Sequence, residues 1–114
     1  MPFISVNVTK ALDEEQRNRL KTALGQAVSM LPGKEEATLM VDISDNHTIY
    51  LGGVQQAAGA YVDVKIYGAA GFAAKQRFTE AALQAVSGVC GIPTDHLYLT
   101  FSQMETWGAK GTLK

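Results

Sequence analysis

The chain repeats itself. Residues 3–44 align without a gap on residues 61–102, at a constant offset of 58. The shift pairs Val6 with Val64, Ala11 with Ala69, Arg19 with Arg77 and Ala23 with Ala81. It continues through Gln26-Ala27-Val28-Ser29 against Gln84-Ala85-Val86-Ser87, then Gly33 with Gly91, Leu39 with Leu97 and Ser44 with Ser102. A chain made of one unit used twice is restricted to folds in which that unit packs against its own copy.

Each unit reads as strand, helix, strand. In the first, Ile4, Val6 and Val8 alternate with Phe3, Ser5 and Asn7, the period of two of a half-buried strand. Asp13 before Glu14-Glu15-Gln16 predicts a capping box at the start of a helix. Leu20, Ala23, Leu24, Ala27, Val28 and Leu31 then form one apolar stripe, ended by Pro32 and Gly33. The second unit repeats the stripe with Phe78, Ala81, Ala82, Ala85, Val86 and Val89, ended by Gly91 and Pro93. Closing strands are predicted at Leu39–Ile43 and Leu97–Phe101. Crossover connections are right-handed and join parallel strands, so two such units predict an α+β fold: a four-stranded sheet with both helices on one face. Strand parity agrees. Ile4, Val6, Val8, Leu39, Val41, Ile43, Val62, Val64, Ile66, Leu97, Leu99 and Phe101 share one apolar face. The other face carries Ser5, Asn7, Met40, Asp42, Asp63, Lys65, Tyr67, Tyr98 and Thr100, a mixture suited to solvent or to a wet subunit interface. Residues 45–60 link the units, and Ile49-Tyr50-Leu51 before Gly52-Gly53 has the composition of a short edge strand.

At 114 residues the chain has room for one domain, spanning 1–114. Ten Lys and Arg against eleven Asp and Glu give a net charge of −1, so nucleic acid is not an expected partner. No stretch has the length of a membrane helix, and the N-terminus lacks the basic lead and apolar run of a secretory signal; a cytoplasmic location is expected. Cys90 is the only cysteine, which excludes an intrachain disulfide and a paired-cysteine zinc site. His47 and His96 lack ligand spacing, so no metal is expected. Neither a Walker loop nor a dinucleotide fingerprint is present, and Gly68-Ala-Ala-Gly71 is too short a match. A domain this small, without staples, gains from oligomerisation.

Pro2 directly follows Met1. A small penultimate residue normally allows the initiator methionine to be removed, which leaves a secondary amine as the N-terminus. Such amines titrate near about 7.7 to 8.0, and desolvation or a nearby cation lowers that value into the range of a general base at neutral pH. Lys34, at the turn into the second strand, reads either as a solvated lysine or as a cation for a substrate carboxylate; its repeat mate is Ile92. Tyr67 and Tyr98 fall on the mixed face, Trp107-Gly108 reads as an anchor for the tail, and Cys90 as buried and inert.

Met1-Pro2-Phe3-Ile4, Gly33-Lys34, Gly52-Gly53, Tyr98 and Trp107-Gly108, in this order and spacing, resemble the macrophage migration inhibitory factor family of the tautomerase superfamily. The resemblance covers essentially the whole chain. It implies a homotrimer with active sites at subunit boundaries, and a cofactor-independent isomerase whose catalytic base is Pro2. It further implies Lys34 as the cation for the substrate carboxylate, Tyr67 as a backbone N–H donor, Tyr98 from the neighbouring subunit, and Trp107 at the pocket rim. The chain departs from the family at Thr100, where an asparagine is usual, in a shorter Met104–Trp107 segment, and in lacking a Cys-x-x-Cys motif.

The activity so implied is keto–enol tautomerisation of small aromatic 2-keto acids of the phenylpyruvate type. Two alternatives share the scaffold. One is hydration or decarboxylation of a short unsaturated acid, for which relatives pair the proline with arginines; the three here, Arg17, Arg19 and Arg77, fall in helix segments. The other is a non-catalytic trimeric signalling or binding protein, in which Pro2 stays locked behind Met1.

Overall fold

The computed structural model describes all 114 residues. Strand β1 (Pro2–Val8) buries Pro2, Ile4, Val6 and Val8 and half-exposes the residues between them. Helix α1 (Glu14–Ala27) starts with the capping box: Asp13 Oδ1 accepts from the Gln16 N–H at 2.8 Å, and Gln16 Oε1 accepts from the Asp13 N–H at 3.0 Å. A 3-10 turn at Val28–Met30 extends it toward Gly33, whose φ of +75° only glycine adopts freely. Strand β2 (Met40–Ser44) closes the first unit. The second unit follows as β5 (Ala60–Tyr67), α2 (Phe72–Cys90) and β6 (Leu97–Met104). Gly91, at φ +66°, ends α2 in the left-handed conformation.

The sheet has the order β2-β1-β5-β6. Strands pair in parallel within each unit and antiparallel between units, at β1 and β5. Ser5 pairs with Asp63, its own repeat mate, so the pseudo-twofold axis passes between these two residues. Phe3 with Met40 and Tyr61 with Tyr98 are the same cross-strand pair one repeat apart.

Both helices lie on one face, where nineteen buried residues form a continuous core. Phe78 is its largest fully buried side chain and meets Phe101 edge-on, with ring centroids 5.6 Å apart. A side chain of this kind contributes about 1.5–3 kcal/mol by burial alone. The expected stripes hold, although Ala23, Ala81, Ala85 and Val89 are only partly buried. No buried side chain is polar or charged, and no helix is long and apolar enough to cross a membrane.

Three details differ from the sequence expectation. The last strand runs to Met104, three residues beyond Phe101, while the second begins at Met40 because Leu39 ends a 3-10 turn at Glu36–Thr38. The linker strand β3 (Tyr50–Leu51) does not extend the main sheet: across Gly52-Gly53 it folds back on β4 (Val54–Gln55) as a separate hairpin. The tail forms a further hairpin, β7 (Gly108–Ala109) with β8 (Thr112–Leu113), turned by Lys110 and Gly111 at φ +54° and +80°.

Candidate active site

The sheet brings the start of β1 and the end of β5 together, because Pro2 pairs with Ile66. Tyr67, one residue further, donates its backbone N–H to the Met1 carbonyl at 3.1 Å. Its own carbonyl accepts from Lys34 Nζ at 2.6 Å. Lys34 therefore leaves the turn after Gly33 and reaches across to the end of β5, half-buried rather than fully solvated. The tail hairpin returns the chain to the same place: Trp107 and Lys114 exchange backbone hydrogen bonds at 2.8 and 3.1 Å, and Lys114 Nζ stands 5.7 Å from the Tyr67 ring centre.

The Met1 amine titrates below its ordinary value of 8.0. Desolvation by burial is the main cause, and Lys34 and Lys114 add to it through charge repulsion; Glu35 opposes them. The N-terminus thus lies in a locally cationic setting that favours a neutral amine.

Beside it opens a pocket of about 550 Å³, lined by Met1, Pro2, Phe3, Met40, Lys65 and Trp107 among others. Ala37 and Thr38 complete the β2 side, and Gly108, Ala109 and Lys110 of the tail complete the other. Met1 stands between this pocket and the Lys34–Tyr67 pair: its side of the chain lines the pocket, while its carbonyl and amine face Tyr67 and Lys34. Lys65 is held by Asp63 at 2.6 Å and lies over the Phe3 ring at 5.9 Å. A larger, shallower groove of about 720 Å³ on the helix layer, lined by residues such as Glu14, Asn18, Arg19 and Gln26, contains none of these groups.

Four of the six residues singled out from the sequence, Pro2, Lys34, Tyr67 and Trp107, thus gather around the N-terminus. Tyr98 and Thr100 do not join them within the chain. Tyr98 pairs with Tyr61, whereas Pro2 pairs with Ile66, five positions along β5, or about 17 Å at the rise of a strand. There Thr100 Oγ1 hydrogen-bonds the Tyr61 hydroxyl at 2.5 Å, and Tyr98, exposed to 63%, borders a small cavity with Tyr50, Tyr61 and His96. His96 is half-buried with Nδ1 3.0 Å from the Ala58 carbonyl oxygen, and His47 is exposed. No arginine lines the pocket: Arg17 donates to the Leu12 carbonyl, Arg19 faces the helix groove and Arg77 is exposed on α2. Met40, Lys65, Lys110 and Lys114 were not anticipated. The sheet register brings the first two to the pocket, and the tail hairpin brings Lys110 to it and Lys114 to the Tyr67 ring.

The sequence matches the macrophage migration inhibitory factor (MIF) family model over residues 1–113. The chain belongs to this family. In solved structures its fold is similar to that of Leishmania major MIF2, at 29% identity and a TM-score of 0.92, covering 100% of this chain and 97% of that one. The MIF homologue of Prochlorococcus marinus follows at 22% identity and a TM-score of 0.84, covering 97% of each chain. A fused 4-OT described as an asymmetric trimer shares the fold at 16% identity and a TM-score of 0.84, over 96% of this chain and 94% of that one. A search of curated proteins finds no match. Family and fold together support a MIF-like or tautomerase function.

Proposed function

We propose that the protein is a cofactor-independent isomerase that interconverts the keto and enol forms of small aromatic 2-keto acids of the phenylpyruvate type. The observation that carries this reading is the seat of the N-terminus: the Met1 carbonyl occupies the Tyr67 N–H, and Lys34 lies on the Tyr67 carbonyl. Removing Met1 does two things at once. It converts the Pro2 nitrogen from an amide into a basic amine, and it frees the Tyr67 N–H to donate to a ligand.

In the proposed reaction the neutral Pro2 nitrogen removes the proton beside the substrate carbonyl. Lys34 neutralises the substrate carboxylate, and the Tyr67 N–H donates to a substrate oxygen. The prolinium then returns its proton to the other position. Positioned acid–base catalysis of this kind typically contributes about 10²- to 10⁴-fold. Trp107 borders the space for the aromatic ring. Because Tyr98 stands at the far end of β6 and Thr100 midway along it, both away from Pro2, they would complete a neighbour's pocket in a homotrimer; the 4-OT relative is described as a trimer. A Met1-retaining chain has no free Pro2 amine and would serve as a binding protein only.

The test is the phenylpyruvate keto–enol absorbance assay on protein shown by mass to begin at Pro2, beside the variants Pro2→Gly and Lys34→Ala. Activity that falls by at least about tenfold in both supports the reading. Full activity in either overturns it.

A further inference from the structure

The tail hairpin brings a second cation to the end of β5, opposite Lys34. Lys34 Nζ binds the Tyr67 carbonyl at 2.6 Å, and Lys114 Nζ stands over the ring of the same residue at 5.7 Å. The chain's two ion pairs are Arg17–Asp45 and Lys65–Asp63, so neither Lys34 nor Lys114 has a carboxylate partner. Lys110, in the turn of the same hairpin, borders the pocket beside Pro2 and is likewise unpaired. Among the side chains that act on the Met1 amine, Glu35, beside Lys34 in sequence and exposed, is the one that opposes the two lysines. Like charges gathered at one mouth repel one another, and a bound anion relieves that repulsion. One carboxylate accounts for one of these lysines; the hairpin supplies charge for a second.

We infer that Lys114, supported by Lys110, forms a second anion subsite, so that the preferred ligand is a dianion: an aromatic 2-keto acid bearing another acidic group on the side away from its keto carboxylate. This assignment of substrate class rests on the reading of the pocket as a keto-acid site, with Lys34 on the first carboxylate. The Met1 amine feels the charge of both lysines.

The experiment uses unreactive probes, so that binding is read apart from turnover. On protein beginning at Pro2, quenching of Trp107, the only tryptophan, is titrated with benzoate and with terephthalate, in the wild type, Lys114→Ala and Lys114→Arg. The expected result is terephthalate binding about fivefold tighter than benzoate, as one exposed charge pair provides at most, with the preference shrinking as salt is raised. Lys114→Ala should bring the ratio of the two constants down to about two, the statistical advantage of two equivalent carboxylates, and Lys114→Arg should keep it. Equal binding of the two probes by the wild type, or a ratio that Lys114→Ala leaves unchanged, overturns the subsite whatever the enzymatic activity. Lys114-dependent terephthalate preference in a protein that does not turn over phenylpyruvate retains the subsite and removes the tautomerase reading instead.

Discussion

Lys34 illustrates how a turn residue acquires a function through tertiary structure. Its repeat mate is Ile92, fully buried, so the duplicated unit itself does not require a cation there. What sets Lys34 apart is its reach to the Tyr67 carbonyl at 2.6 Å, a contact between residues 33 positions apart. The family resemblance put both residues at the site from the sequence, but their contact with each other was not legible there. The buried setting and the Lys34 and Lys114 charges lower the pKa of the Met1 amine, and the Pro2 amine exposed by processing would face the same two lysines. The working base is neutral, so activity should be lost as pH falls through its pKa. Replacing Lys34 by alanine removes a cation, raises that pKa, and should move the acid limb of the kcat/KM profile to higher pH. It should also lower kcat/KM by about 10- to 100-fold, the value of a hydrogen bond to a charged group. An acid limb that stays in place or moves to lower pH would contradict the role given to this lysine. Cys90 behaves oppositely: desolvation raises its pKa despite Lys10, so the thiol should stay unlabelled by iodoacetamide at neutral pH in the folded protein and react on unfolding.

At the scale of elements, the strands and helices that bury a face were legible in advance, because burial imposes a period. The capping box was legible too, since its chemistry is local. Asp13→Ala leaves the Gln16 N–H without its partner and should cost about 1 kcal/mol, read as a lower denaturant midpoint at unchanged m-value. The two short hairpins were not legible. Tyr50–Leu51 has strand composition, but two residues cannot specify which neighbour they pair with, and glycines at φ +61° and +81° turn the chain back on itself. The tail hairpin has strands of two residues and only Lys110-Gly111 as a turn signal. It is this unpredicted element that brings Lys110 and Lys114 to the site. Deleting residues 108–114 should therefore weaken binding of keto acids more than it lowers stability, which parallel ligand titration and thermal melts would resolve.

The whole molecule separates the residues around Pro2 from Tyr98 by five positions along the eight-residue β5, and from Thr100 by three. Within one chain they cannot act on one substrate. The proposed homotrimer resolves this, and sedimentation should give about three times the monomer mass. A mixing experiment goes further. Pro2→Gly and Tyr98→Ala subunits should each be weakly active alone. When they are unfolded together in equal amounts and refolded, about one site in four should pair an intact Pro2 with a neighbour's intact Tyr98, if subunits assort at random around a closed ring. Recovery of about a quarter of wild-type activity supports shared sites, whereas no recovery above the separate variants contradicts them.

The measurement closest to the central claim compares two preparations of the same chain, one beginning at Met1 and one at Pro2, each defined by mass, in the phenylpyruvate assay. Met1 holds the Tyr67 N–H through its carbonyl and keeps the Pro2 nitrogen in an amide. The account predicts activity in the Pro2 form and less than about one hundredth of it in the Met1 form, the loss of a general base. Equal activity in the two preparations would contradict it.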